Sequence, residues 1–181
     1  MNTGHELFLH ELADMLSAEH QLVEALQTLA DDSTNPQLKE AFTAHRKETK
    51  AQIERLTKCF ELLGETPEKT ECKGVRGLIE EKKAFMEENP SGDILDVFDI
   101  GAAIKTESYE ICEYKSLISA AREMKHTKVA LLLTANLKEE QAALKKMEGF
   151  HKSVKPEEMM TEEQEEASER SSGSRRRKHA A

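Results

Sequence analysis

Ile104-Lys105-Thr106-Glu107-Ser108-Tyr109-Glu110-Ile111-Cys112-Glu113-Tyr114 reads as the middle of a helix. In steps of three and four the surrounding chain gives Val97, Ile100, Ile104, Glu107, Ile111, Tyr114, Ile118 and Ala121, an apolar stripe that faces a core. Glu107 sits in the middle of that stripe, and Glu110 lies one turn on, at its edge. A carboxylate in an apolar seam is costly unless something compensates its charge. What supplies the compensation is the question the rest of the chain has to answer.

Three more long helices carry the same flaw. The first is predicted from Gly4 to Ala30, with the stripe Phe8, Leu12, Met15, Glu19, Leu22, Leu26, Leu29; its alternation of fours and threes is that of a bundle seam, and Glu19 breaks it at the centre. Asp31 to Pro36 is a turn, with Asn35 as N-cap and Pro36 at the first helical position of the next helix. That helix runs to Leu63 and stops at Gly64, with the stripe Leu38, Phe42, His45, Thr49, Gln52, Leu56, Cys59, Leu63. Its middle is polar, and Glu48 lies beside the patch, one turn from both His45 and Gln52. The helix around Glu107 is predicted from about Ile94 to Met124. A last one runs from an N-cap at Thr127 to about Phe150, with Val129, Leu133, Asn136, Glu140, Ala143, Met147 and Phe150 in its stripe and Glu139 beside Glu140.

The short turn between the first two helices makes them antiparallel neighbours. Residues 65–93 are different: turn signals at Thr66-Pro67 and Asn89-Pro90-Ser91-Gly92 bracket one short helix from Gly77 to Glu88. A connection of that length can cross a whole bundle, which is the one-crossover arrangement of a ferritin-like fold. A shift of 91 positions lays Thr43-Ala44-His45-Arg46-Lys47-Glu48 on Thr134-Ala135-Asn136-Leu137-Lys138-Glu139 and Glu19 on Glu110. This weak match suggests a repeated hairpin, pairing first helix with third and second with fourth.

The bulk numbers agree with an all-helical chain. Of the 181 residues, 34% are charged and 4% aromatic, with 8 Gly and 4 Pro. The net charge of -9 argues against nucleic-acid binding by the body of the protein. Cys59, Cys72 and Cys112 are odd in number and lack metal-type spacing, as expected of reduced thiols in a cytosolic protein. No signal peptide or membrane-spanning run is visible, so a soluble cytoplasmic protein is expected. Residues 1–152 form the expected domain. Residues 153–181 read as a disordered charged tail whose tip, Arg175-Arg176-Arg177-Lys178, is the one segment suited to nucleic acid or an acidic surface.

Glu19, Glu48, Glu107 and Glu140 each lie about halfway along a long helix, so side-by-side packing brings them to one level. One such acid can snorkel outward, or protonate and bond to a neighbour. Four together would repel one another, and a pair of divalent cations relieves both the repulsion and the desolvation; carboxylate oxygens suit iron and manganese. The usual di-iron pattern has Glu-x-x-His on two helices. Here the order is reversed, His45-x-x-Glu48 followed by Gln52, with Glu107-x-x-Glu110 on the third helix and Glu139-Glu140 on the fourth. The expected ligands are Glu19, Glu48, Glu107, Glu110, Glu140 and His45, with Gln52, Glu139, Tyr109 and Tyr114 as weaker or supporting candidates. His45 is a ligand, a donor to one, or a core histidine. Glu110 and Glu139 are ligands or solvated flanks, and the tyrosines are core residues bonded to a carboxylate rather than redox participants.

These residues carry a resemblance. Leu12-Ala13-Asp14 with Ala18-Glu19-His20-Gln21-Leu22, Leu38-Lys39-Glu40-Ala41-Phe42 leading to His45-x-x-Glu48-Thr49 and Arg55-Leu56, Phe60-Glu61-Leu62-Leu63-Gly64, Cys72, Gly77-Leu78-Ile79-Glu80-Glu81, Glu107-Ser108-Tyr109-Glu110-Ile111 and Leu137-x-Glu139-Glu140 together resemble the YciE/YciF-type ferritin-like family of bacteria. The resemblance spans about Leu7 to Phe150 and implies a ferritin-like four-helix bundle, a di-metal centre with two iron or manganese ions, a homodimer and a link to stress responses. The family commonly has an acid where this chain has Leu144, which removes one oxygen ligand. The expected function is a di-metal carboxylate protein that binds iron and reacts with oxygen or peroxide, by a ferroxidase-like, peroxide-consuming or hydrocarbon-oxidising route. The alternatives are a non-catalytic structural protein of the same fold, with a partial or empty site, and an acidic coiled-coil adaptor with none.

Overall fold

The computed structural model describes residues 2–154. They form α1 (Gly4–Asp32), α2 (Pro36–Leu63), α3 (Lys73–Glu87), α4 (Gly92–Glu123) and α5 (Thr127–Ser153), with no strand among the described residues. Apart from Ser153, which closes α5, and Val154, the expected tail lies outside the described residues.

Local chemistry sets the ends of α1 and α2. Thr3 and Glu6 form a reciprocal capping box at the start of α1. The Asn35 side chain accepts from the Gln37 and Leu38 amides, Pro36 follows it, and Gly64 ends α2 in the left-handed region at φ 73. Two boundaries differ from expectation. α3 begins at Lys73 rather than Gly77, because Gly74 belongs to its first turn: a Cβ there would lie 2.9 Å from the Tyr109 ring, so this glycine allows close approach. The N-cap of α5 is His126, after Lys125 turns at φ 63, and Thr127 is already helical.

The chain path follows from what meets at each end. The turn after α1 touches the start of α4: Thr34 and Asn35 donate backbone N–H groups to the Asp96 carboxylate at 3.1 and 2.9 Å. Phe150, near the end of α5, lines the same surface recess as Thr34 and Asp93. At the far end the His126 ring stacks on Phe8, with centroids 6.4 Å apart, and His5 faces Glu65 at 3.5 Å. So α2 and α4 run parallel, and the segment carrying α3 crosses the length of the bundle. Hairpin α1–α2 packs on hairpin α4–α5 with α1 against α4 and α2 against α5, the pairing a 91-residue repeat calls for. This is a ferritin-like four-helix bundle with one crossover.

The core is divided. Phe8, Leu12, Leu56, Leu117 and Leu133 anchor one apolar cluster, and Leu26, Leu38, Phe42, Ile100 and Met147 the other. Between them, at mid-height, lies a buried polar layer. Two more buried acids, Asp96 and Asp99, were hidden in the sequence among the polar positions of α4. The turn amides satisfy Asp96. Lys82 of α3 binds Asp99 at 2.7 Å and Asp32 at 3.1 Å, and so ties the crossover to α1 and α4.

Candidate metal centre

The periodicity that exposed the flaw in each stripe also delivers the site. Glu19 of α1, Glu107 and Glu110 of α4 and Glu140 of α5 are at most 3% exposed, and His45 of α2 is 8% exposed. Their ligand atoms fall into two groups, His45–Glu107–Glu140 and Glu19–Glu110–Glu140, the atoms of each within 4.8 Å of one another. Glu140 is common to both.

A polar frame holds this cluster from the side of the α5 seam. Tyr114 donates its hydroxyl to Glu19, and Gln52 donates its amide to Glu140. Asn136 donates to the Tyr114 hydroxyl at 2.9 Å and accepts from Arg55, which also pairs with Glu139. Each bond spends one oxygen of an acid and leaves another free. Glu19 Oε2, Glu107 Oε2, Glu140 Oε2 and both oxygens of Glu110 are buried with no hydrogen-bond partner. Native interiors seldom leave such atoms unsatisfied.

Electrostatics reflect the same crowding. Burial, only partly offset by the Tyr114 hydrogen bond, pushes Glu19 up to about 8. Burial and the neighbouring Glu140, Glu19 and Glu107 hold Glu110 well above the carboxylate range. Glu140 is raised likewise, by burial first and by its contact with Glu107 second. His45 is pulled down by burial but carried well above 6.5 by the charge and hydrogen bond of Glu107, aided by Glu48. Its Nε2 lies 3.1 Å from Glu107 and 3.5 Å from Glu140, and its Nδ1 lies 3.3 Å from Glu48. Both nitrogens thus face acidic side chains, which favour the charged form of the ring. With a cation present, Nε2 faces the ligand group and Nδ1–H donates to a carboxylate, the usual orientation of a ligating histidine.

The residues fit a cation pair. Hard oxygen donors predominate, their free oxygens converge, and two divalent ions balance four carboxylates. Not every predicted residue joins them. The Glu48 side chain is half-exposed and reaches the cluster only through His45, whose ring lowers its pKa. Glu139 pairs with Arg55 at the margin. Tyr109 points instead to Cys72, with its hydroxyl 3.4 Å from Sγ. Thr49 bonds back to the His45 carbonyl within its own helix. Two frame residues went unassigned in the sequence, Asn136 and Arg55. Asn136 carries the signal that marked the acids, a polar residue in an apolar stripe one turn before Glu140. Arg55 stands one turn after Gln52, outside the stripe, and has no comparable signal.

Known proteins share this chain's sequence and shape. A family described as "Domain of unknown function (DUF892)" matches residues 3–160. Protein YciF of Escherichia coli (strain K12) is 38% identical over 143 residues, 78% of this chain and 86% of that protein. The crystal structure of the E. coli stress protein YciF superposes with a TM-score of 0.80 at 37% identity, covering 83% of this chain and 96% of that one. YcfI from Rhodopseudomonas palustris, described as a candidate structural protein, gives 0.79 at 37% identity over 82% of this chain and 94% of its own. A protein of Xanthomonas campestris pv. campestris, 19% identical with a TM-score of 0.67 over 83% of this chain and 92% of its own, shares the fold.

Proposed function

The chain belongs to the DUF892 family, and on that premise we propose that it is a carboxylate di-metal protein that binds two iron or manganese ions and reacts with oxygen or peroxide in stress defence. One observation carries the reading: carboxylate oxygens from α1, α4 and α5 that the neighbouring donors leave unpartnered converge in one buried layer. His45, Glu107 and Glu140 would hold one ion and Glu19, Glu110 and Glu140 the other, Glu140 being common to both groups. Such ions supply electrons to an oxygen species. The protein's part is to fix the donors. Tyr114 and Gln52 each hold one oxygen of Glu19 and of Glu140, which turns the other toward the centre. Glu48 holds the His45 ring by Nδ1. Apolar clusters close the layer above and below.

The test is aerobic addition of ferrous iron. Wild-type protein gives a fast absorbance change, and Glu19→Ala with Glu140→Ala abolishes it; an unchanged response in that variant ends the reading. Metal analysis of protein purified without chelator gives about two iron or manganese ions per chain. Absence of metal would favour the second reading, a structural protein of the same fold. The half-exposed position of Glu48 and the description of the R. palustris relative speak for that second reading. By the same family resemblance we assign a homodimer and a cytoplasmic location. No helix among the described residues is long and apolar enough to cross a membrane.

A further inference from the structure

A cleft of about 410 Å³ runs between α1 and α4 beneath α3, and His45, Glu107 and Glu110 of the centre form its floor. Its walls are apolar: Leu22 and Leu26 from α1, Leu78 and Ile79 from α3, Ala102 and Ala103 from α4. Close-packed interiors rarely keep such a space, and here alanines keep it where larger side chains would close it. The wall hydroxyls are already used, since Thr28 and Thr106 donate to the carbonyls of Glu24 and Ala102 in their own helices. Above the floor, water would find few partners. At the mouth Lys82 is neutralised by Asp32 and Asp99, whereas its neighbour Lys83 is exposed and in no ion pair among the described residues.

We propose that this cleft binds a single-chain anionic amphiphile of the fatty-acid class, tail inward, with its carboxylate at Lys83 and the end of its chain against the centre. The volume is that of a small-molecule site. Both Val75 and Lys83 line it, and the stretch of α3 between them measures about 12 Å, the reach of a medium alkyl chain. The orientation follows from charge: two of the three floor residues are acids, and Lys83, exposed at the mouth, is in no ion pair among the described residues. This inference deepens the reading above and rests on it for what the chain end would meet.

The experiment is calorimetric titration of decanoate into chelator-treated and into manganese-loaded protein, with metal content measured separately. Wild type binds decanoate saturably, one per chain, in both forms. Two variants that fill the walls, Ala102→Leu and Ala25→Leu, weaken binding about tenfold or more. Lys83→Glu weakens it about three- to tenfold, and all three keep their metal. Circular dichroism confirms that each variant is folded. Absence of saturable binding to wild type overturns the proposal, as does undiminished binding by both folded filling variants. So does a wild type that ignores decanoate while the filling variants change its sedimentation, which would make the cleft a contact between copies. Wild type that binds decanoate but takes up no manganese overturns the metal reading alone; wild type that takes up manganese but does not bind decanoate overturns this one alone.

Discussion

Glu140 is the carboxylate on which both halves of the cluster depend, since it belongs to each group of ligand atoms. Glu140→Ala is therefore expected to abolish binding of both ions, whereas Glu19→Gln leaves the His45–Glu107–Glu140 group and about one ion per chain. Metal analysis after gel filtration distinguishes these outcomes. Glu110 presents the opposite case: without metal, neither of its buried oxygens has a partner. Burial already holds this acid well above the carboxylate range, so Glu110→Gln is expected to change metal-free stability in urea unfolding by less than about 1 kcal/mol while weakening metal binding. Glu19 sets a pH dependence. Its folded pKa of about 8 exceeds the ordinary 4.5, so between these values the folded state holds the extra proton. Metal-free stability should then fall as pH rises through that window, while metal affinity rises because binding displaces the proton. Chelator-treated melts that strengthen with pH across the same range would contradict this assignment.

Among the elements, α4 has α1, α3 and α5 packed on it. Its first turn is fastened by Asp96, which accepts from the Thr34 and Asn35 amides and from the Thr34 hydroxyl. Asp96→Ala removes three part-buried hydrogen bonds to a carboxylate and is expected to cost about 1–2 kcal/mol, read as a lower urea midpoint with an unchanged slope. The helix-forming stripes were plain in the sequence because periodicity is a property of one element, and the caps at Asn35 and Gly64 are local chemistry of the same kind. The start of α3 was not plain. Gly74 looks like a breaker until the Tyr109 ring is seen against it, and that contact comes from another helix.

For the molecule as a whole, the polar layer between two apolar clusters makes folding and metal binding one equilibrium. Manganese at about one hundred times its dissociation constant should stabilise the fold by about 2.7 kcal/mol. For a domain of this size that raises Tm by about 5–10 °C over chelated protein, as scanning calorimetry would show. The sequence by itself determined the all-helical bundle, the crossover and the flawed seams, because helices and seams are written in the spacing of residues along one helix and the crossover in the length of one connection. Only the tertiary structure decided which acids share a site. Glu48 and Glu110 each stand one turn from a polar residue in the stripe of their helix, yet Glu110 is 1% exposed and the Glu48 side chain 51%. The difference lies in their neighbours: among the described residues α4 is covered by α1, α3 and α5, while α2 packs mainly on α1 and α5, and the flank that carries Glu48 is open. The depth of an edge residue is set by the helices that happen to lie beside it, and its own sequence carries no record of them.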